Sequence, residues 1–429
     1  MKYGLIGERL GHSFSKVIHE RLEDYTYEPR ELSREEFPAF MEARDFKAVN
    51  VTIPYKSAVI PYLDEIDPVA QEIGAVNTVV HKEGKLYGYN TDFLGLRDLI
   101  LKNHMDFKGR RVLVSGSGGT AGTAGYTAKF LGADEVVFLG REGSASLKKL
   151  EDRGEKCLTY SQAEAEGIEA SFLINTTPAG MYPDNEGHCP LDISKVQGLL
   201  GVIDVIFNPL KTNLVLQAEQ MGLAAEGGLY MLVSQAVHAI EYFLDKQIPV
   251  SEIDRIFSEV YAEKENLVLI GMPGSGKTTL GKNLDIGKEF ADSDWIIEET
   301  YGPIPELFHE FGESGFRDRE TAVIKELAKK NGMLIACGGG AVLRQENLKA
   351  LRRNGRLFFL DRPLEEIRPT SDRPLAKDTE ALKARYEERY PVYIREADEV
   401  IKVTGTVDES LKKVKERYYE NFSTQRTEY

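Results

Sequence analysis

An α/β architecture repeated along the chain is what this sequence predicts, and three observations carry the prediction. Well past mid-chain, the apolar run Leu267-Val268-Leu269-Ile270 ends in Gly271, and the residues after it complete G-x-x-x-x-G-K-T at Lys277 and Thr278. Earlier, Val112-Leu113-Val114-Ser115 runs into Gly116-Ser117-Gly118-Gly119-Thr120-Ala121, followed by a helical pattern over 121–130 and a second apolar run over 135–139. Before that, residues 1–103 alternate short apolar runs with amphipathic stretches. Strands alternating with helices build layered α/β domains, and a glycine-rich turn between strand and helix aims backbone N–H groups at an anion.

Bulk properties narrow the function classes. A chain of 429 residues exceeds one ordinary core and suggests two to three domains. A formal charge of −15 argues against nucleic acid or an anionic membrane as the main partner. No run is apolar and long enough to span a bilayer, and residues 1–7 read as a short strand rather than a signal peptide. Cys157, Cys189 and Cys337 stand far apart in no metal spacing, which fits structural thiols in a reducing, cytoplasmic setting. A homodimer is compatible with all of this.

Taken in order, the run at 3–6 leads to Gly11-His12-Ser13-Phe14-Ser15-Lys16 and an amphipathic stretch at 19–25. Ser13 and Ser15, two apart at a strand-to-helix junction, suit either a helix cap or a ligand carboxylate. Asn50-Val51-Thr52-Ile53-Pro54-Tyr55-Lys56 is a β-branched strand stopped by proline, and a lysine there is ordinarily a solvated charge. Residues 74–80 and 86–90 flank Lys82-Glu83-Gly84-Lys85 as a hairpin, which runs into Thr91-Asp92 as the expected cap of a helix over 93–102.

The glycine cluster at 116–119, with the strand at 135–139 in place, opens a Rossmann-type dinucleotide-binding unit. That second strand ends in Gly140-Arg141-Glu142. An arginine there accepts the 2′-phosphate of NADP and an acid binds the free ribose of NAD, so the two residues pull in opposite directions; NADP is the reading taken. Strands at 172–175 and 202–206 continue the unit, and the first ends in the turn-rich Thr176-Thr177-Pro178-Ala179-Gly180-Met181. His238, amid apolar residues of the helix expected at 231–245, reads as a core histidine satisfied by a hydrogen bond.

Residues 1 to about 262 resemble shikimate 5-dehydrogenase nearly end to end. The resemblance rests on Gly-His-Ser-Phe-Ser (11–15), Asn-Val-Thr-Ile-Pro-Tyr-Lys (50–56), Gly-Ala-Val-Asn-Thr (74–78), Asn-Thr-Asp (90–92), Asn-Thr-Thr-Pro-Ala-Gly-Met (175–181) and Gly-Gly-Leu-Tyr-Met-Leu-Val-Ser-Gln-Ala (227–236). It implies that Ser13 and Ser15 hold a substrate carboxylate and that Thr52, Asn77, Asp92 and Gln235 bind ring oxygens. Lys56 and Asp92 become the catalytic pair. Gly116, Ser117, Gly118, Gly119, Thr120, Ala121, Arg141 and Gly228 become the NADP(H) contacts. Reducing a ketone leaves an alkoxide that needs a proton; a cationic Lys56 supplies it and Asp92 orients the ammonium. The reverse direction needs a neutral Lys56 and gains from alkaline pH. Three departures stand out: Phe207 where the family has tyrosine, Lys16 where proline follows the serines, and Gly140-Arg141-Glu142 in place of Asn-Arg-Thr.

The link onward is short, because a helix at 250–264 passes almost directly to the strand at 267. Asp292-Ser293-Asp294 then stands at a strand end. The pair suits a helix cap, or a magnesium ion and a substrate hydroxyl, and the phosphate loop favours the latter. Gly315-Phe316-Arg317-Asp318-Arg319-Glu320 is read as opening a helix. Residues 333–337 form a strand running into Gly338, Gly339 and Gly340, which would let a substrate press against the backbone. Residues 368–377 read as an Arg- and Pro-rich lid.

These pieces resemble shikimate kinase over about residues 265–420. The resemblance puts ATP on Gly271, Gly274, Ser275, Gly276, Lys277, Thr278, Thr279 and the lid residue Arg373. It puts Mg²⁺ on Thr278 and Asp292, and shikimate on Asp294, Arg317, Gly338, Gly339, Gly340 and Arg389. Lys277, Asp294 and Arg373 become catalytic, with Asp294 taking the proton of the attacking hydroxyl and Glu320 fixing Arg317. Cys337 is read as a buried apolar filler. The stretch from 280 to 290 and the lid are both shorter than in the family.

Three domains are therefore expected: a substrate-binding domain over 1–103, completed by helices within 231–264, a Rossmann NADP domain over 104–230, and a P-loop kinase domain of the nucleoside-monophosphate-kinase type with a parallel sheet over 265–429. The expected function is reduction of 3-dehydroshikimate with NADPH, followed by phosphorylation of shikimate with ATP. The alternative is an NAD-dependent quinate or shikimate dehydrogenase with a weak or inactive kinase-like module.

Overall fold

Three sheets organise the protein, each built where apolar runs alternate with helices. The computed structural model describes residues 1–11, 14–367 and 379–424; the expected Ser13, Arg373 and the rest of the lid lie outside these. The first sheet comprises β1 (Tyr3–Gly7), β2 (Tyr27–Glu31), β3 (Ala48–Val51), β4 (Glu65–Ile66), β5 (Thr78–Lys82) and β6 (Lys85–Tyr89), in the order β2-β1-β3-β5-β6-β4. The first three strands pair in parallel, and the hairpin β5–β6 adds antiparallel strands to that core.

The second sheet is parallel throughout: β7 (Arg111–Ser115), β8 (Glu135–Gly140), β9 (Lys156–Thr159), β10 (Phe172–Asn175), β11 (Gly201–Asp204) and β12 (Ala224–Glu226), in the order β12-β11-β10-β7-β8-β9. The chain leaves β7 toward β8 on one side and returns to β10 on the other. The crevice at the carboxyl ends of β7 and β10 is thus the place where open α/β sheets bind ligands. The third sheet, also parallel, comprises β13 (Asn266–Ile270), β14 (Glu289–Asp292), β15 (Met333–Ala336), β16 (Gly355–Asp361) and β17 (Glu399–Lys402), in the order β14-β15-β13-β16-β17. Its central strand β13 is buried along its whole length, as a strand covered on both faces requires.

By contacts the chain divides into two compact units, residues 1–208 with 217–257 and residues 209–216 with 258–429. In the first, the helix Leu229–Leu244 packs along the helix Thr91–Lys102. Gly95 permits the close crossing, since a Cβ there would lie 2.5 Å from the Met231 carbonyl oxygen. His238 sits in this seam, with Nε2 2.8 Å from Asp98 and Nδ1 2.6 Å from Glu241. Burial works against its charge, yet the two carboxylates outweigh burial and hold its pKa above the ordinary value.

One local expectation is corrected. The cap of the helix Thr91–Lys102 is Asn90, whose side chain accepts from the Phe93 N–H at 3.0 Å; Thr91 and Asp92 lie inside the first turn. Gly315 to Glu320 stands in the opening turns of a helix, as expected: the run Ile304–Lys329 is two helices divided at Gly312, whose φ of 67° only glycine adopts readily. All three cysteines are free, and no helix among the described residues is long and apolar enough to cross a membrane.

Candidate active sites

In the first unit a cavity of about 310 Å³ is lined by Ser15, Thr52, Lys56, Asn77, Asp92 and Gln235, along with Thr120 and Gly228. Lys56 follows the strand end after Pro54, and its carbonyl is held by the Val76 N–H at 2.8 Å. From there its Nζ reaches Asp92 Oδ2 at 2.5 Å. Asn90 anchors the other partner: its Nδ2 donates to the Ala75 carbonyl at 2.9 Å while its Oδ1 caps the helix, so the first turn presents Asp92 to Lys56. Asn77 is fixed by the same turn, accepting from the Thr91 N–H at 2.7 Å. Gln235 is held on its own helix through the Leu232 carbonyl at 2.9 Å.

A buried polar chain underlies these groups. The Tyr27 hydroxyl donates to Asn50 Oδ1 at 2.7 Å and exchanges a hydrogen bond with Ser15, while Asn50 Nδ2 donates to Thr78 at 3.1 Å. Buried polar groups so joined hold one geometry, because any other leaves an unpaired donor or acceptor. Asn50 and Tyr27 were missed as site-supporting residues. Asn50 stands in a quoted strand motif, but nothing local distinguishes it from an ordinary strand residue.

The glycine loop follows β7. Gly116, at φ 111°, passes so close to β10 that a Cβ would lie 2.5 Å from Thr176 Oγ1. Gly118 and Gly119 face open space, with nothing within 4 Å of an added Cβ. That is a cradle of the kind a dinucleotide pyrophosphate requires, ahead of the 12-residue helix Gly119–Phe130. Gly228 is pressed against Val205, where a Cβ would strike the carbonyl. Arg141 and Glu142 are both exposed at the end of β8. Beside them three hydroxyls converge: Ser117 lies 2.7 Å from Ser146 and 3.3 Å from Ser144. The residues present therefore fit a phosphate-bearing dinucleotide.

In the second unit a cleft of about 330 Å³ gathers Gly274, Lys277, Thr278, Asp292, Asp294 and Arg317, with the three glycines and Arg389. Gly271, Gly274 and Gly276 all adopt positive φ, which frees the loop to curl. Lys277 Nζ donates back to the Gly271 and Met272 carbonyls at 2.9 and 3.0 Å, and the Ser275 hydroxyl is buried with no hydrogen-bond partner among the described residues. Such a loop fits a terminal phosphate. Asp292 does two jobs: Oδ1 caps the helix Ser293–Tyr301 through the Asp294 N–H at 3.0 Å, and Oδ2 accepts from the Thr278 hydroxyl at 2.7 Å. Among the described residues no cluster of three or more His, Cys, Asp or Glu forms a cation cage. One hydroxyl and one carboxylate nonetheless fit magnesium, which keeps waters and phosphate oxygens as its other ligands.

Arg317 Nη1 donates to Glu320 at 2.7 Å and Nη2 to Glu313 at 3.4 Å. Arg389 is buried, with Nε and Nη2 unpartnered among the described residues. Asp294 is pushed up to about 6 by burial and then by the neighbouring charges of Asp292 and Glu320. The three glycines clear space for the site's own side chains. A Cβ on Gly338 would lie 2.6 Å from Asp294 Oδ1, and one on Gly340 would lie 2.1 Å from Arg317 Nη2. Tyr393, fully buried, donates its hydroxyl to the Gly339 carbonyl. Cys337 is buried behind them.

Comparison with known proteins covers both units. The family model described as shikimate kinase matches residues 273–419, and that described as the shikimate dehydrogenase substrate binding domain matches residues 5–79. A shikimate dehydrogenase (NADP(+)) of Clostridium perfringens is 34% identical over 266 residues, spanning 60% of this chain and 97% of the relative. Among solved structures, a chorismate mutase/shikimate 5-dehydrogenase fusion from Clostridium acetobutylicum matches with a TM-score of 0.56 and 34% identity, covering 60% of this chain and 96% of the other. Shikimate 5-dehydrogenase from Thermus thermophilus, solved with NADP(H) and shikimate, matches with a TM-score of 0.54 and 28% identity, covering 60% of this chain and 99% of the other.

Proposed function

The chain belongs to the shikimate dehydrogenase family and carries a shikimate kinase domain in the same polypeptide, and from that premise we propose that it catalyses two consecutive steps: reduction of 3-dehydroshikimate to shikimate and phosphorylation of shikimate. The observation that carries the reading is the presence, in one chain, of a lysine–aspartate pair in one cavity and a phosphate loop facing a shielded aspartate in another. Neither half alone implies the sequence of steps. Together, the product of the first is the substrate of the second.

In the dehydrogenase cavity NADPH, when bound, supplies the hydride. Lys56 then delivers a proton to the oxygen that was the ketone, and Asp92 fixes where the ammonium points. Thr52, Asn77 and Gln235 orient the ring oxygens, and Ser13 and Ser15 take the carboxylate. The exposed Arg141 and the neighbouring serines favour a 2′-phosphate, and Gly116, Ser117, Gly118, Gly119, Thr120, Ala121 and Gly228 bound the cofactor's path. In the kinase cleft, ATP with Mg²⁺ supplies the phosphoryl group. Lys277 would turn from its own loop's carbonyls to a bound phosphate, and Thr278 and Asp292 would hold the cation. Arg317 and Arg389 bind the carboxylate while Asp294 accepts the proton of the attacking hydroxyl. Arg373 completes the charge neutralisation from the lid.

The test is a single reaction of 3-dehydroshikimate, NADPH and Mg-ATP analysed by mass spectrometry, with NADH in a parallel tube. Shikimate 3-phosphate is the expected product. Shikimate accumulating without its phosphate would remove the kinase step. Turnover with NADH alone would favour the second reading, an NAD-dependent shikimate or quinate dehydrogenase, which rests on Glu142 beside Arg141. Its companion, an inactive kinase-like module, rests on the helix after the phosphate loop, only seven residues long at Lys277–Asn283.

A further inference from the structure

Charge accounting around the dehydrogenase cavity points to a residue with no assigned role. Among the described residues that line it, three are ionisable to full charge: Arg9, Lys56 and Asp92. Lys56 and Asp92 form an ion pair and cancel. A carboxylate entering the cavity therefore meets no net positive charge from the catalytic pair, and the hydroxyl of Ser15 offers a neutral donor only. Arg9 is the remaining cation. It stands in the loop beyond the carboxyl end of β1, it is exposed, and its guanidinium makes no ion pair among the described residues. The loop is tied down on either side of it. The Glu8 N–H donates to the Ile53 carbonyl at 3.3 Å, and the Leu10 N–H donates to Glu31 at 2.9 Å.

The aromatic part of the lining makes such a cation useful. Phe207 stands where a tyrosine hydroxyl is expected, and it meets Phe14 edge to face with ring centroids 6.2 Å apart. These two rings are apolar and supply no donor. A desolvated carboxylate against two phenyl rings is costly unless a charged donor pairs with it, and a guanidinium does so with two parallel N–H···O bonds. We propose that Arg9 is the counter-ion of the substrate carboxylate and selects acids over their neutral analogues. The proposal rests on the dehydrogenase reading above.

The experiment measures NADP⁺-dependent oxidation of shikimate and of its methyl ester, without ATP so that the kinase cleft is idle, in the wild type, Arg9→Gln and Arg9→Lys. The expected result in Arg9→Gln is a rise in KM for the acid of about 10- to 100-fold, with kcat nearly unchanged, and no change for the ester. Arg9→Lys should recover part of the loss, because it keeps the charge without the fork. The acid's KM should also rise with ionic strength in the wild type and lose that dependence in Arg9→Gln. An acid-to-ester preference equal in wild type and Arg9→Gln would overturn the proposal while leaving the dehydrogenase reading intact. A wild type that oxidises neither compound would overturn both. Arg9 is exposed, so loss of fold does not confuse the result, and an unchanged thermal transition checks it.

Discussion

Asp92 in the dehydrogenase cavity lies 2.5 Å from Lys56, whereas Asp294 in the kinase cleft forms no ion pair among the described residues, and burial with Asp292 and Glu320 outweighs the nearby charges of Lys277 and Arg317. On the function proposed above, the two aspartates serve different chemistry and are prepared by different means. A group that must give a proton has to be aimed at the oxygen that receives it, which a paired carboxylate does. A group that must take one is best raised toward neutrality, which burial and like charges do. Asp294 at about 6 is a carboxylate moved toward the working range of a base.

The largest effects should come from the two lysines. Lys56→Ala is expected to lower dehydrogenase kcat by about 10²- to 10⁴-fold, the range for a positioned proton donor. Lys277→Ala should lower kinase kcat by at least about 10²- to 10³-fold, as loss of a preorganised charge does. Assaying both activities on both variants breaks the comparison if either lysine matters equally to the two reactions.

Asp294 offers the next test. Asp294→Asn should cost about 10²-fold or more in phosphorylation. In the wild type, kcat/KM for shikimate phosphorylation should fall as pH drops through about 6, since the free site must shed its proton to act as base. A profile flat from pH 5 to 8 would mean that Asp294 only orients the hydroxyl. A smaller effect belongs to Arg141. Calorimetric titration with 2′,5′-ADP and with 5′-AMP should show Arg141→Ala weakening the first about 10-fold and leaving the second alone, whereas Glu142→Ala should strengthen the first.

Much of both sites was legible because the signals are local. A glycine loop between a strand and a helix is dictated within a short stretch of chain, and so is the spacing that sets Thr278 beside Lys277. What escaped depended on non-local choices. Asn90, Thr91 and Asp92 are all competent caps, and the backbone selected Asn90, whose extended φ and ψ of −121° and 95° leave the helix to begin after it. The strands β2, β9 and β17 read YEPRE, KCLT and EVIK, with no apolar alternation, because their residues are largely exposed or only half-buried at sheet edges. Asp292 was read as cation ligand in preference to cap, yet its two oxygens divide the roles of cap and Thr278 partner. The glycines at 338–340 line the cleft, and a Cβ on Gly338 or Gly340 would also meet Asp294, Glu320 or Arg317, which no local pattern announces. Arg9 carries no motif at all; only the shape of the cavity reveals it.

The smallest expected effect tests how far charge pairing extends behind the dehydrogenase site. His238 joins Asp98, on the helix whose first turn holds Asp92, to Glu241, on the helix that carries Gln235; Ser234 and Arg97 also bond Asp98, at 2.7 Å each. Because the folded imidazolium is held above the ordinary pKa of 6.5, its contribution to stability is fully present below that pH and is lost as pH rises through the raised folded value. His238→Gln should therefore cost about 1–2 kcal/mol at pH 6, as loss of a charged hydrogen bond does, and less at pH 9. The measurement is the pH dependence of the calorimetric transition that NADP⁺ raises, in wild type and variant. A deficit that does not shrink with pH would mean that His238 acts as a neutral packing group and not as a charged one.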